Sequence, residues 1–192
     1  MTLGRQPEIL DYASPTQFKM IINQLPKVEF FITAANVPGI SLGETIFSTP
    51  LKQIPMQGDE VTFENLSISF LVDENLENYK ELHDWLIGIG FPQSRSQFKE
   101  FRSSTSNRPG VTQGNSQDIG DVQPATAVSP MFSDATLTIL SNKNNPVVEV
   151  RFEELSPVSL GALNFDQEAT DVQYLKSTCD FNYKYYKIVP LT

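Results

Sequence analysis

The chain carries one histidine, one tryptophan and one cysteine. Nucleophilic or metal chemistry would have to be built around them. His83 and Asp84 are neighbours, with Trp85 next. Consecutive side chains on a helix diverge by about 100°, so His83 and Asp84 are expected not to pair with each other. A triad or a His-bearing metal site would therefore rest wholly on His83, and neither an H-x-x-H spacing nor a second cysteine supports one. His83 is read as a partly buried structural residue. Trp85 is read as core, and Cys179, in an alternating run, as a buried structural thiol. The carboxylate pairs Asp59-Glu60 and Glu153-Glu154 are sequence neighbours, which places their side chains on opposite faces of an extended chain. That gives no support to two-carboxylate glycoside chemistry. The runs "GDE" and "DEN" miss the spacing of a calcium loop, and the scattered glycines build no phosphate loop. The expectation is a non-enzyme with no catalytic, cofactor-binding or metal-ligating residue and no cofactor.

These residues must be positioned by a chain of 192 residues, 40% hydrophobic and 19% charged, which fits one ordinary globular domain spanning 1–192. A formal net charge of −9 argues against a nucleic-acid binder, because phosphate neutralisation supplies most of such affinity. A surface that must let DNA pass without gripping it would be acidic, and solubility alone explains a modest acidic excess equally well. No apolar run approaches the roughly 20 residues of a membrane helix. The first fifteen residues lack the basic-then-apolar order of a secretory signal. No membrane anchor and no export are expected.

Phe18, Met20 and Ile22 alternate, as do Val28, Phe30, Ile32 and Ala34, with "NQLPK" between them; this predicts a hairpin. "SLGETIFSTPLKQIPMQGDEV" reads as an irregular extended segment, an edge strand or a projecting loop, with a turn at Gly58-Asp59. Leu66, Ile68, Phe70 and Val72 share one parity and predict a strand, and Phe63 on the other parity predicts a bulge near Glu64 and Asn65. A helix is predicted from Asp73 as cap, with Glu74 and Glu77 in its first turn. Leu76, Tyr79, Leu82, Leu86 and Ile89 form its apolar stripe, and Trp85 lies on the flank. Phe70, Leu76, Tyr79, Leu82, Trp85 and Leu86 are the expected helix–sheet packing set. Ala135, Leu137 and Ile139, then Val148, Val150 and Phe152, predict a hairpin around "SNKNNP". "ELSPVSLGALNFDQEATD" reads as a connection, and one last strand sets Leu175, Cys179, Phe181, Tyr183 and Tyr185 on one face.

About seven strands and one helix imply a mainly β fold with one flanking α-helix, an antiparallel sandwich or barrel. Between Gln93 and Ser133 the composition turns to Ser, Thr, Gly, Pro and Gln, a long polar excursion at about 93–133. Arg95, Lys99, Arg102 and Arg108 make its first half basic within an acidic chain. That suits docking against an acidic neighbour, a second copy of the chain included, and makes the four candidate assembly contacts. A solvated loop is the alternative reading.

"ANVPGI" followed by "IPMQGDEVTFENLSISFLVDENLENYKELHDWL", from Ile54 to Leu86, resembles the tail tube family of T-even-type contractile-tailed phages. The pattern is a P-G-I turn, an extended segment ending in G-D, an alternating strand, an acidic D-E step and a helix closing on D-W. The match covers Lys27 to Leu86 and, more loosely, Asp134 to Tyr186. "FLVDENLENYKELHDWLIGIGFP" and the ending "FNYKYYKI" are most similar to tail completion proteins of marine T-even-type phages, which terminate the tube and stabilise the sheath. The resemblance implies a tail-tube-like β-sandwich or barrel, a homo-oligomer, in the family a hexameric ring, and neighbouring tail tube, sheath or neck proteins. It also implies a lumen through which DNA passes without specific binding, and a place in the virion after assembly in the host cytoplasm. A main tube subunit and a baseplate tube initiator are the alternatives within the family. A monomeric β-sandwich ligand-binding module, using Trp85 and the six tyrosines, is the alternative outside it.

Overall fold

A computed structural model describes residues 12–90, 92–96, 132–166 and 174–191. Its elements are β1 (Phe18–Ile22), α1 (Pro26–Glu29), β2 (Ile32–Ala35), β3 (Ile40–Ser48), β4 (Gln53–Phe63), β5 (Leu66–Leu71), α2 (Glu77–Gly90), β6 (Ser133–Leu140), β7 (Pro146–Leu160), β8 (Lys176–Asn182) and β9 (Tyr185–Pro190). The fold is mostly antiparallel β with two helices. β7 joins its two halves. Its first part pairs with β6 on one side and β9 on the other, and its last residues, Ser156–Leu160, pair with β8. Strand order runs β1-β6-β7-β8-β5-β2. Met20, Leu137, Val150 and Phe152 from one half meet Leu66, Ile68, Phe70, Cys179 and Phe181 from the other in a single core. Burying each large side chain contributes about 1.5–3 kcal/mol, which is what holds the two halves face to face.

The strand at Leu66–Leu71 buries Leu66, Ile68 and Phe70 as its parity predicts, and the β6–β7 hairpin turns at the Asn-rich loop, with Asn144 at φ 60. The first predicted hairpin is overturned. β1 pairs with β6 and β2 with β5, and the segment between them is the short helix α1. Pro26 stands at its N-terminal position, where a missing N–H costs nothing. Leu25 and Val28, three residues apart, are both buried, while Phe30 is exposed. Helical spacing won over the apparent alternation.

Four further expectations change. Glu64 and Asn65 are not a bulge, because there the chain leaves β4 in one sheet and enters β5 in another. The predicted connection at "ELSPVSL" is the second half of β7, reached through Glu154 at φ 56, where the strand changes partners. The predicted last strand is two: β8 ends at Asn182, and β9 crosses to pair with β7. The helix starts at Glu77, not after Asp73, since Leu76 adopts φ 56 and its carbonyl accepts the first helical bond from Lys80 N at 2.8 Å. Asp73 still helps to fix that start, because its Oδ1 accepts from Asn78 N at 3.3 Å and Asn78 Nδ2 donates to Leu71 O at 2.7 Å. Glu77 is in the first turn and pairs with Lys27 of α1 at 2.7 Å; Glu74 precedes the helix. Among the described residues no helix is long and apolar enough to cross a membrane.

Candidate assembly surface

β3 and β4 pair with each other and, among the described residues, with no other strand. They form a hairpin of their own, so the alternative of a projecting element is the one adopted, as regular strands and not as irregular chain. Thr49-Pro50-Leu51-Lys52 closes it, with Thr49 N donating to Lys52 O at 3.2 Å and Lys52 N to Thr49 Oγ1 at 3.1 Å. Proline second in the turn is favoured by its fixed φ. Pro55 lies within β4 opposite Ile46, a position open to proline because β4 lacks a second partner. Gly58-Asp59 is no turn; it lies where the register slips between Leu42 and Glu44. A Cβ on Gly58 would come 2.5 Å from the Gly43 carbonyl oxygen, so only glycine lets the two backbones approach here.

Beyond this crossing the hairpin is apolar on one face, and on the other a single apolar pair stands between the polar pairs Glu44–Gln57 and Ser48–Gln53. Phe47 opposes Ile54 and Thr45 opposes Met56 on one face, while Ile46 opposes Pro55 on the other. Leu42, Ile46, Phe47, Ile54, Met56 and Val61 are all exposed, and Leu51 at the tip is 98% exposed. A lone two-stranded hairpin is marginal in water. Unpaired edges and an exposed apolar face make this one a candidate interaction surface.

Its root, by contrast, is tightly held. Glu64 N donates to Gly39 O at 3.0 Å. Gly39 N donates to the Glu64 carboxylate at 3.2 Å. The Tyr186 hydroxyl donates to Pro38 O at 3.1 Å, and the Tyr183 hydroxyl to Glu64 O at 2.8 Å. Phe63, the last residue of β4, stands edge-on to both tyrosine rings, at 6.2 Å from Tyr183 and 5.8 Å from Tyr186. Burial, first, and the nearby Tyr186 and Glu64 push the Tyr183 hydroxyl up to about 12, so it remains a donor at neutral pH.

Next to this root, β7 and β9 present a polar face. Arg151 pairs with Glu149 at 2.7 Å, Lys184 with Glu154 at 2.9 Å and Lys187 with Glu153 at 3.1 Å. Tyr185 donates to Glu153 as well, and that bond, ahead of the one from Lys187, holds the Glu153 carboxyl below its ordinary range.

The residues singled out from sequence are spread apart. Phe70, Leu82 and Trp85 are buried together with the core, and Tyr79 donates to Gly161 O at 3.2 Å. Trp85, 3% exposed with its ring 6.2 Å from Phe181, is at the centre of the buried stripe, with Leu86 on the flank. The stripe is Asn78, Leu82, Trp85 and Gly88. Leu76 lies outside the helix and is 36% exposed, because its left-handed backbone turns it away before the first helical turn. His83 is not a packing residue. Its side chain is 55% exposed, and Nδ1 lies 3.3 Å from Asp84 Oδ1, so the neighbours do meet. Flexible side-chain torsions in open solvent undo the backbone divergence. Cys179 is buried, and burial, with Asp180 second, pushes its thiol up to about 12, which leaves little reactive thiolate at neutral pH. Arg95 is exposed; Lys99, Arg102 and Arg108 lie outside the described residues, as does most of the polar excursion.

A G-x-S-x-G motif was expected to be absent, yet Gly39-Ile40-Ser41-Leu42-Gly43 has the spacing of a nucleophile elbow. Ser41 stands within β3 opposite Thr62, not on the strand-to-helix turn that such a nucleophile requires. The hairpin itself was also missed as a site. Its signal was apolar residues on both parities flanking Thr49-Pro50.

No family model matches the chain, and no curated protein matches it in sequence. Solved structures do match it in shape. A chain of the cryo-EM structure of the anti-feeding prophage baseplate, 6-fold symmetrised, aligns with a TM-score of 0.55 at 11% identity, over 94% of this chain and 97% of that one. A chain of the anti-feeding prophage cap, its tube terminating cap, gives 0.53 at 11% identity over 99% of both. A chain of the sheath/tube terminator of an extracellular contractile injection system in the extended state gives 0.52 at 12% identity, over 94% of this chain and 99% of that one. The fold is shared with chains of contractile injection systems. The likeness spans nearly the whole of each chain.

Proposed function

We propose that this chain is a structural ring subunit of a contractile tail, the subunit that terminates the tube, assembled as a homohexamer and carried in the virion. The projecting hairpin carries the reading. An apolar element whose two edges are unpaired among the described residues is covered when a neighbouring copy receives it, and a head-to-tail contact closes into a ring when its rotation divides the circle. The likeness to chains of a tube terminating cap and of a sheath/tube terminator supports the terminal position. In that position the chain would touch tail tube, sheath or neck proteins. The net charge of −9 suits a lumen through which DNA moves without being bound. A structural role without catalysis follows from this reading. A tube initiator is the second reading, supported by the likeness to a baseplate chain.

Electron microscopy of the purified chain, alone and mixed with purified tails, tests it. Discrete six-fold rings of the chain alone, which bind at the neck end when tails are added, are expected. Long tubes would identify a main tube subunit, and binding at the baseplate end an initiator. A monomer that binds neither end would overturn the tail reading and favour a monomeric binding module.

A further inference from the structure

We infer that Tyr183 and Tyr186 are positioning residues that clasp the two roots of the hairpin and set the angle at which it meets its neighbour. The inference rests on reading the hairpin as the assembly surface. The chain enters the hairpin through Pro38-Gly39 and leaves it through Glu64-Asn65, and each root offers one backbone carbonyl to one tyrosine hydroxyl. Tyr183 lies in the join between β8 and β9, where the chain passes from one half of the sheet to the other, and Tyr186 is the second residue of β9. Their rings are seated on Phe152, at 5.2 Å and 5.7 Å, which is itself buried in the core. The hydroxyls therefore report the position of the rigid core to an element whose strands, among the described residues, pair only with each other. Packing of the partly buried rings against the core fixes the tyrosines, and the two directional bonds fix the hairpin.

A phenylalanine keeps the ring and removes the bond. Each hydroxyl is expected to hold the root closed by about fivefold, and the two together by about thirtyfold. The test uses the full-length chain as wild type, Tyr183→Phe, Tyr186→Phe, the double variant and Tyr79→Phe. Tyr79 donates to Gly161 O, far in sequence from the hairpin, and so controls for loss of a hydroxyl as such. Backbone hydrogen exchange at Gly39, Glu64 and the β3–β4 ladder is read on dilute protein, and self-association by sedimentation over a concentration series. The double variant is expected to melt as the wild type does, to exchange at the root about thirtyfold faster and to associate more weakly, with Tyr79→Phe unchanged in both. Root exchange that stays at the wild-type rate in the double variant overturns the clasp. Faster root exchange with undiminished association overturns its role in positioning. If the wild type does not associate at all, the assembly reading fails, and root exchange alone still decides whether the clasp exists.

Discussion

Replacing Phe47 and Ile54 together by serine removes one facing pair from the hairpin and touches no residue of the core. Fully burying side chains of this size gains about 1.5–3 kcal/mol each. In the isolated chain Phe47 and Ile54 are 56% and 45% exposed, so about half of that gain is still to be had when a neighbour covers them. That is about 1 kcal/mol from each, and about 2 kcal/mol per contact between copies, equivalent to roughly thirtyfold in the association constant. The cost to the monomer is confined to one cross-strand pair, about 0.2–1 kcal/mol, in an element the core does not depend on. Sedimentation at several protein concentrations reads the first number, and urea unfolding followed by far-ultraviolet circular dichroism the second. An association constant equal to the wild-type value would refute the reasoning. So would unfolding of the whole chain, since that would make Phe47 and Ile54 part of the core.

Trp85→Ala should cost about 3–5 kcal/mol in urea unfolding, because the indole is buried against Phe181. Trp85→Phe should cost much less, as it also removes an indole N–H that finds no acceptor among the described residues; equal losses would count against this. Gly58→Ala should splay the hairpin, speeding exchange along β3 and β4 without lowering the melting point of the core, whereas Gly90→Ala, with nothing within 4 Å of the added carbon, should leave both unchanged. Glu153 has a folded pKa below its ordinary value, so its bonds to Tyr185 and Lys187 stabilise the chain fully above about pH 4.5, and that contribution is lost as pH falls through the depressed value. Acid melting curves of Glu153→Gln should be flatter than the wild type over that range, and the difference should shrink in high salt; parallel curves would contradict it.

Local pattern was enough for the parts of the fold in which one face is buried. β5 and the β6–β7 hairpin alternate cleanly because Leu66, Ile68, Phe70, Leu137 and Val150 face one core. It failed where a strand serves two partners. β7 continues through Pro157 because a kink at Glu154 re-aims it toward β8, and β8 and β9 read as one strand because nothing in "DFNYKYYKI" shows that the chain changes sheets there. The candidate surface on β3 and β4 was the least legible. The β3–β4 hairpin mixes apolar and polar residues without the clean alternation of a core strand, and its close crossing at Gly43 and Gly58 looks like a turn until the opposing backbone is in place. The two tyrosine hydroxyls reach back 119 and 148 residues along the chain, a relation no local window contains.

The most direct measurement is the mass in solution of the purified full-length chain, by light scattering across a concentration series. The account predicts a discrete species of six times the 21.5 kDa chain mass, lost in the Phe47→Ser, Ile54→Ser variant while the subunit remains folded. A wild-type chain that stays at 21.5 kDa at every concentration, with its hairpin protected from exchange, would contradict it.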